Sequence, residues 1–365
     1  MIIKSLISLL SIWIYFFCCF YIVSRISSFW GHKNIAISLI ISIFLFIFFP
    51  LAAFLINSFN NIFSKTFYLI ACIWLGSIGV AIVWFLIFDL SNLISRKFFN
   101  YNLLTPKVGI VVIIVIILVC IYAIINADFI RVRNINLSLS KLKNNIKIVY
   151  LSDIHIDTIN SISYLKKIIN KVNELSGDLV IINGDLVHIW HFSDEDFSSL
   201  KDIKAPVIFT YGNHERYFGK ERVNKILKWA NLNILENQTL NFSGLQIIWL
   251  QDLESIDNKS SQDKLNDLLK NIKIDSNLPS ILVLHEPIWP AVSQKYWIDL
   301  QLAWHTHNGQ VFPFNLFVRL WFKYIYWLYN IWWMYLYVSS GAWTWWPPMR
   351  LGSDSEIVLF HLSGR

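Results

Sequence analysis

Cysteine is scarce and confined. Only four are present among 365 residues (Cys18, Cys19, Cys72 and Cys120), and all fall in apolar runs of the first third. The rest of the chain therefore has no disulfide framework and carries no redox signature of its compartment. Charge is also sparse, at 15% Asp, Glu, Lys and Arg, and is absent from residues 6–23, 35–56, 67–88 and 108–125. Each run has about the 17–25 residues that cross a bilayer as a helix. With no ionisable side chain inside them, a transporter with a charged pathway is the weakest reading. Lys4 and the apolar run after it have the look of a signal peptide, but no small-x-small cleavage site follows and three more runs come next. There is no internal repeat and no low-complexity linker. The formal charge of +7 is spread without a basic cluster, which speaks against a nucleic-acid partner and suits the anionic head groups of a lipid bilayer.

The expected organisation is a four-helix transmembrane region over 1–127 and a second domain over 128–365. Four spans put both termini on one side of the membrane. Lys4, Lys65, Arg131 and Arg133 flank that side, against Arg25, Lys33, Arg96, Lys97 and Lys107 on the other. The positive-inside bias nearly balances. Lys141, Lys143 and Lys147 tip it towards a cytoplasmic second domain.

What is present lies in that second domain. Aliphatic and β-branched runs at 146–151, 179–182, 207–211, 281–284 and 300–303 read as buried strands of an α/β sheet. Helical spacing recurs at 164–175 and 263–272. Most of the strand runs lead into a short polar motif. The motifs are Asp153-Ile154-His155, Gly184-Asp185, Gly212-Asn213-His214-Glu215, His285 and His305-Thr306-His307. Strand ends are where open α/β sheets place their sites. Carboxylate, imidazole and amide donors together suit borderline-hard divalent ions such as Mn, Fe and Zn. Two such ions about 3.5–4 Å apart can clamp the attacking and leaving oxygens of a phosphoryl displacement.

With these five blocks in this order, residues 136–362 resemble the calcineurin-like metallophosphoesterases. Gln310-Val311-Phe312-Pro313 and the Pro-Pro-Met-Arg-Leu-Gly stretch at 347–352 resemble their membrane-associated bacterial branch. The resemblance implies an α/β four-layer sandwich, two β-sheets flanked by helices, preceded here by four transmembrane α-helices. It implies two divalent metal ions (Mn, Fe or Zn). One would take Asp153, His155, Asp185 and His307; the other would share Asp185 and add Asn213, His285 and His305. A hydroxide shared by the ions would be the nucleophile, and His214 would protonate the leaving oxygen or stabilise phosphoryl charge. Glu215 is expected to orient His214. The implied function is hydrolysis of a phosphate ester or pyrophosphate, with a lipid-linked or envelope substrate favoured. The alternatives are a tethered phosphodiesterase for soluble nucleotides and a catalytically inactive membrane interaction module.

Other residues carry less. His188, His191 and His361 read as ordinary histidines, and Asp157 and Asp178 as turn residues. Asp252 lies in a stretch where such enzymes often carry an acid. Residues 312–337, rich in aromatics with Arg319 and Lys323 interspersed, read as an interfacial element near the site. Tryptophan is in excess, with 17 residues. Trp304 stands where the family motif opens with glycine, and Trp343 and Trp346 stand at further glycine positions. Trp297 looks similar, as do Trp249, Trp327, Trp332 and Trp333. The expectation is that these are UGA codons, read as glycine in some bacteria and as tryptophan in others.

Overall fold

The four charge-free runs become helices longer than the runs themselves: α1 (Ile2–Phe29), α2 (Ile35–Ser58), α3 (Ile62–Phe99) and α4 (Pro106–Asp128). A helix satisfies its own backbone N–H and C=O groups, so it suits a segment with few polar partners. By length and composition all four can cross a membrane. Their ends carry local signals. Asn34 accepts from Ile37 N at the start of α2, Asn61 and Ser64 form a reciprocal capping box at the start of α3, and left-handed Asn100 closes it. Because α3 continues past residue 88, it includes Asp89, which lies 2.7 Å from Arg25 and accepts from Tyr21 Oη at 2.7 Å.

This computed structural model describes residues 2–32, 34–156, 161–188, 194–253, 260–345 and 347–364. The chain divides into two units: Met1–Ile125 with Val311–Phe314 and Trp346–Leu351, and Asn126–Gln310 with Asn315–Trp345 and Gly352–Arg365. In the first unit, Phe29, Phe85 and Phe88 pack among α1 and α3. Two short segments from late in the chain belong to it: Val311 and Met349 are buried with Val80, Cys120 and Ala123. Arg350 N donates to Ala123 O at 2.8 Å. A side chain at Gly76 would strike Pro347 and Met349, so glycine is what lets these segments approach α3.

The second unit is built on two six-stranded mixed sheets. The strands of the first are β1 (Ile130–Ser138), β2 (Ile146–Leu151), β3 (Leu179–Asn183), β4 (Val207–Thr210), β5 (Asn233–Ile234) and β12 (Ser355–Ser363), ordered β1-β12-β2-β3-β4-β5. The second holds β6 (Gln238–Phe242), β7 (Leu245–Trp249), β8 (Ser280–Val283), β9 (Leu300–Ala303), β10 (Trp327–Ile331) and β11 (Met334–Val338), ordered β10-β11-β9-β8-β7-β6. The central strands are buried on both faces, so their side chains divide with period two between cores. In β2, Ile148 and Tyr150 enter the core between the sheets. Val149 and Leu151 face the helical layer of α5 (Ser161–Leu175) and α7 (Lys220–Trp229). In β8, Ile281 and Val283 join the inter-sheet core, while Leu282 packs towards α8 (Ser261–Lys270) and α9 (Pro290–Lys295). The result is the expected sandwich of helix, sheet, sheet and helix layers.

The aromatic stretch at 312–337 is not one element. Residues Trp327–Val338 form an antiparallel hairpin whose strand β11 pairs in parallel with β9. Only α10 (Phe314–Trp321) stays apart as a short amphipathic helix, with Val318 buried.

Candidate metal centre

Each motif leaves its strand through a tight turn. Five of its residues hold left-handed backbone: Asp153 (φ 49), His155 (φ 43), Asp185 (φ 52), His305 (φ 81) and His307 (φ 48). Side chains other than glycine rarely adopt this region, and such strain concentrates where a site dictates geometry. Main-chain bonds hold the turns: His155 N donates to Asp185 O at 2.9 Å, Trp343 N to Asp153 O at 3.1 Å, and Trp304 N to His285 O at 3.0 Å. Gly184 (φ 69) and Gly212 lie face to face; a side chain on Gly184 would strike the Gly212 backbone, and one on Gly212 would strike Asp185.

Two groups of donors lie at the turns, beside a third made of His155, His188 and His214. In one, His155 Nε2 lies 3.1 Å from His307 Nε2, and Asp153 Oδ1 lies 3.2 Å from His307 Nε2. In the other, His285 Nε2 lies 2.9 Å from His305 Nδ1 and 3.9 Å from Asp185 Oδ2. Both groups have the spacing of metal ligands. Asn213 is buried, and its Oδ1 has no hydrogen-bond partner among the described residues. Facing imidazole nitrogens and a buried, unpartnered amide oxygen fit a cationic occupant better than they fit each other.

The electrostatics agree. Burial raises the Asp153 carboxyl, but His307 and His155 beside it outweigh this and hold it well below the usual carboxylate range. Asp185 is pushed well above that range by burial and by the charges of Glu215 and Asp153. A carboxyl forced to keep its proton by neighbouring carboxylates is one that a divalent ion would ionise. Burial and neighbouring imidazoles hold His214 and His285 well below the ordinary histidine value.

Glu215 does not orient His214. Its carboxylate instead accepts from Asp185 N (2.9 Å), Leu186 N (2.7 Å) and Gly212 N (2.7 Å), tying the Gly-Asp turn to the turn that begins α6 (Asn213–Phe218). The His214 ring lies beside His155, with ring centroids 4.6 Å apart, and beside His188, whose Nδ1 lies 3.3 Å from His214 Nδ1. The one mark of His188 in the sequence is its place three residues after Asp185. Asp252 is 3.2 Å from Arg216 Nη2 and close enough for its charge to act on Asp185. Asp178, just before β3, exchanges hydrogen bonds with Lys147 of β2, accepting from its N–H at 2.7 Å. His361 meets Asn134 on the first sheet, apart from the centre. Asp157, His191 and Trp346 lie outside the described residues.

Trp304 is fully buried, with its ring 4.5 Å from that of His285. Its indole N–H has no partner among the described residues. Trp343 has its ring centroid 3.4 Å from that of Tyr164, closer than the ~4.5–7 Å that aromatic pairs keep.

Comparison with known proteins gives the family. The family model for calcineurin-like phosphoesterases matches residues 146–323. An uncharacterised metallophosphoesterase of Campylobacter jejuni is 33% identical over 88% of this chain and 89% of its own. A transmembrane protein with a metallophosphoesterase domain from Bos taurus is 30% identical over 59% of this chain and 52% of its own. A solved dimetal phosphatase from Danio rerio aligns at 11% identity and TM-score 0.37, covering 60% of this chain and 99% of that one. The chain belongs to the calcineurin-like metallophosphoesterase family, and is a metal-dependent phosphoesterase with helices long and apolar enough to span a membrane.

Proposed function

We propose that the chain is a membrane-anchored phosphohydrolase with two divalent ions, cleaving a phosphate ester or pyrophosphate carried by a lipid-linked or envelope molecule. The observation that carries this is the convergence of two imidazole pairs, His155–His307 at 3.1 Å and His285–His305 at 2.9 Å, on Asp153 and Asp185. Asp153, His155, Asp185 and His307 would hold one ion; Asp185, Asn213, His285 and His305 would hold the other. Bound there, the ions supply Lewis acidity at the phosphoryl oxygens and bring a water towards neutral pKa.

The protein's own groups do the rest. Asp185 would be shared by the two ions, so its charge would offset cation repulsion. His214 gives a proton or a hydrogen bond to the leaving oxygen. Its Nδ1 lies against His188, which leaves Nε2 as the nitrogen that would meet the substrate. Lys141, Lys143 and Lys147, which follow the last span, favour a cytoplasmic catalytic unit.

The test is hydrolysis of p-nitrophenyl phosphate and bis-p-nitrophenyl phosphate by the full chain in detergent micelles with Mn, Fe or Zn. Metal-dependent turnover that Asp185→Asn abolishes is the expected result. Folded protein that binds the ions yet turns over neither compound would overturn the enzymatic reading in favour of an interaction module.

A further inference from the structure

Side chain and backbone disagree at four places in the second unit. Trp289, Trp297, Trp327 and Trp332 have φ of 52°, 58°, 79° and 61°. L side chains enter this left-handed region rarely, and a bulky one there is a true outlier. The other non-glycine residues that do so in this chain are all polar: Asn, Asp, Ser, His, Lys and Gln. No Phe, Tyr, Leu, Ile or Val among the described residues joins them, although the chain has 27 Phe and 15 Tyr. Among large apolar side chains, the excess belongs to Trp alone.

Each position has a use for glycine. Trp297 follows the cap of α9, with Trp297 N donating to Gln294 O and Ile298 N to Ser293 O; this is the Schellman pattern, whose left-handed residue is usually Gly. Trp332 is the first of two loop residues between the paired Ile331 and Met334, and Trp333 after it lies outside the left-handed region. A two-residue hairpin loop with positive φ at its first position takes Gly there. Trp289 begins α9 directly before Pro290. A proline pushes the residue before it to extended backbone, and glycine is the residue freest of such limits. Trp327 opens β10 opposite Val338, with a φ far from strand values that in a strand marks a glycine position.

Packing does not offset the strain. Strained backbone persists where its surroundings over-determine it, but Trp297 is 70% exposed and Trp332 83%. Trp297 stacks on the Trp333 ring at 5.6 Å, and the Trp289 indole donates to the exposed Ser261 Oγ at 2.9 Å. The Trp327 ring lies 5.6 Å from the Arg133 guanidinium and 6.0 Å from the Tyr337 ring. None of these contacts needs left-handed backbone. Backbone conformation also separates the four from their neighbours: Trp249 and Trp333 lie outside the left-handed region, whereas Trp289, which no sequence motif marks, lies within it.

The geometry assigns glycine to positions 289, 297, 327 and 332 in the protein as its own cell makes it, through UGA codons decoded as glycine. The chain as written is short of glycine, with 13 Gly against 17 Trp, where Gly ordinarily makes up about 7% of residues. The four positions lie at the two elements next to β9: α9, which precedes it in the chain, and the β10–β11 hairpin, which pairs with it. Glycine there lets the strand that delivers His305 and His307 form between unstrained neighbours.

Peptide mass spectrometry of the protein from its source cells should show Gly at the four positions and Trp where the codon is UGG. Expressed from its own gene in a host that stops at UGA, the chain should end no later than Ile288, before His305 and His307. Tryptophan at the four positions in source cells, UGG codons for them, or full-length protein from the UGA-stopping host would each overturn the assignment. In the full chain made with tryptophan, Trp297→Gly and Trp332→Gly should each raise Tm by about 2–4 °C. The matching Ala variants keep the left-handed strain and should gain less, and Trp333→Gly should gain nothing. Equal Tm for the Gly and Ala forms would overturn the backbone argument.

Discussion

The two halves of the metal centre rest on different supports. Asp153, His155 and His307 are nearly inaccessible, and their turns are bonded main chain to main chain, through His155 N to Asp185 O and Trp343 N to Asp153 O. Asp185, His285 and His305 share such bonds, Trp304 N to His285 O among them, but a large side chain also packs among them, with the Trp304 indole against His285 and its Cζ2 near Gly184. Backbone support is indifferent to which side chain stands next to a ligand. Side-chain support is not, so the second half is the one whose function depends on what occupies position 304.

In the proposed site Asp185 is shared by both halves, so replacing it should break the comparison altogether. Asp185→Asn is expected to lower kcat by about three orders of magnitude or more, and metal analysis of the purified protein should show loss from both sites. Next in size is Trp304→Gly. It should raise kcat/KM by about tenfold and raise Tm, by removing a buried N–H without a partner. Ordinary core packing predicts instead a loss of about 3–5 kcal/mol, so thermal unfolding decides between them by sign. Glu215→Gln should weaken both halves moderately, since one carboxylate holds three backbone N–H groups of their turns. Metal affinity should fall about 10–100-fold by titration.

The smallest effect is a control outside both halves. Glu356 is fully buried, accepting from Tyr337 Oη at 2.8 Å and Ser340 N at 3.1 Å. Burial raises its pKa, and these bonds only partly oppose the rise. The folded state therefore binds more protons than the unfolded one above about pH 4.3, the ordinary glutamate value. Its contribution to stability is present below that value and is lost as pH rises through the folded pKa. Glu356→Gln should flatten the fall of Tm over that window and leave metal affinity unchanged.

Much of this was legible because it is local. Residues 146–151 and 300–303 read as strands from aliphatic runs alone and are β2 and β9. Helical spacing from Tyr164 marked α5, which starts slightly earlier, at Ser161. The aromatic stretch holds a short helix and a hairpin, a division that density of apolar side chains does not show; β11 is a strand because β9 offers it a partner. Glu215 and His188 misled for a related reason. Their partners, Gly212, Asp185 and Leu186 for the first and His214 for the second, are fixed by how two turns meet.

By itself the sequence determined the four apolar helices, the strands, and the order of donor residues at strand ends. Hydrophobic period, helix length and donor chemistry are properties of neighbouring residues. Only the tertiary structure decided that His155 and His307, 152 residues apart, face each other at 3.1 Å. It also decided that several tryptophans occupy backbone suited to glycine. Those facts depend on which surfaces meet when two sheets close on one core, and no local pattern carries that information.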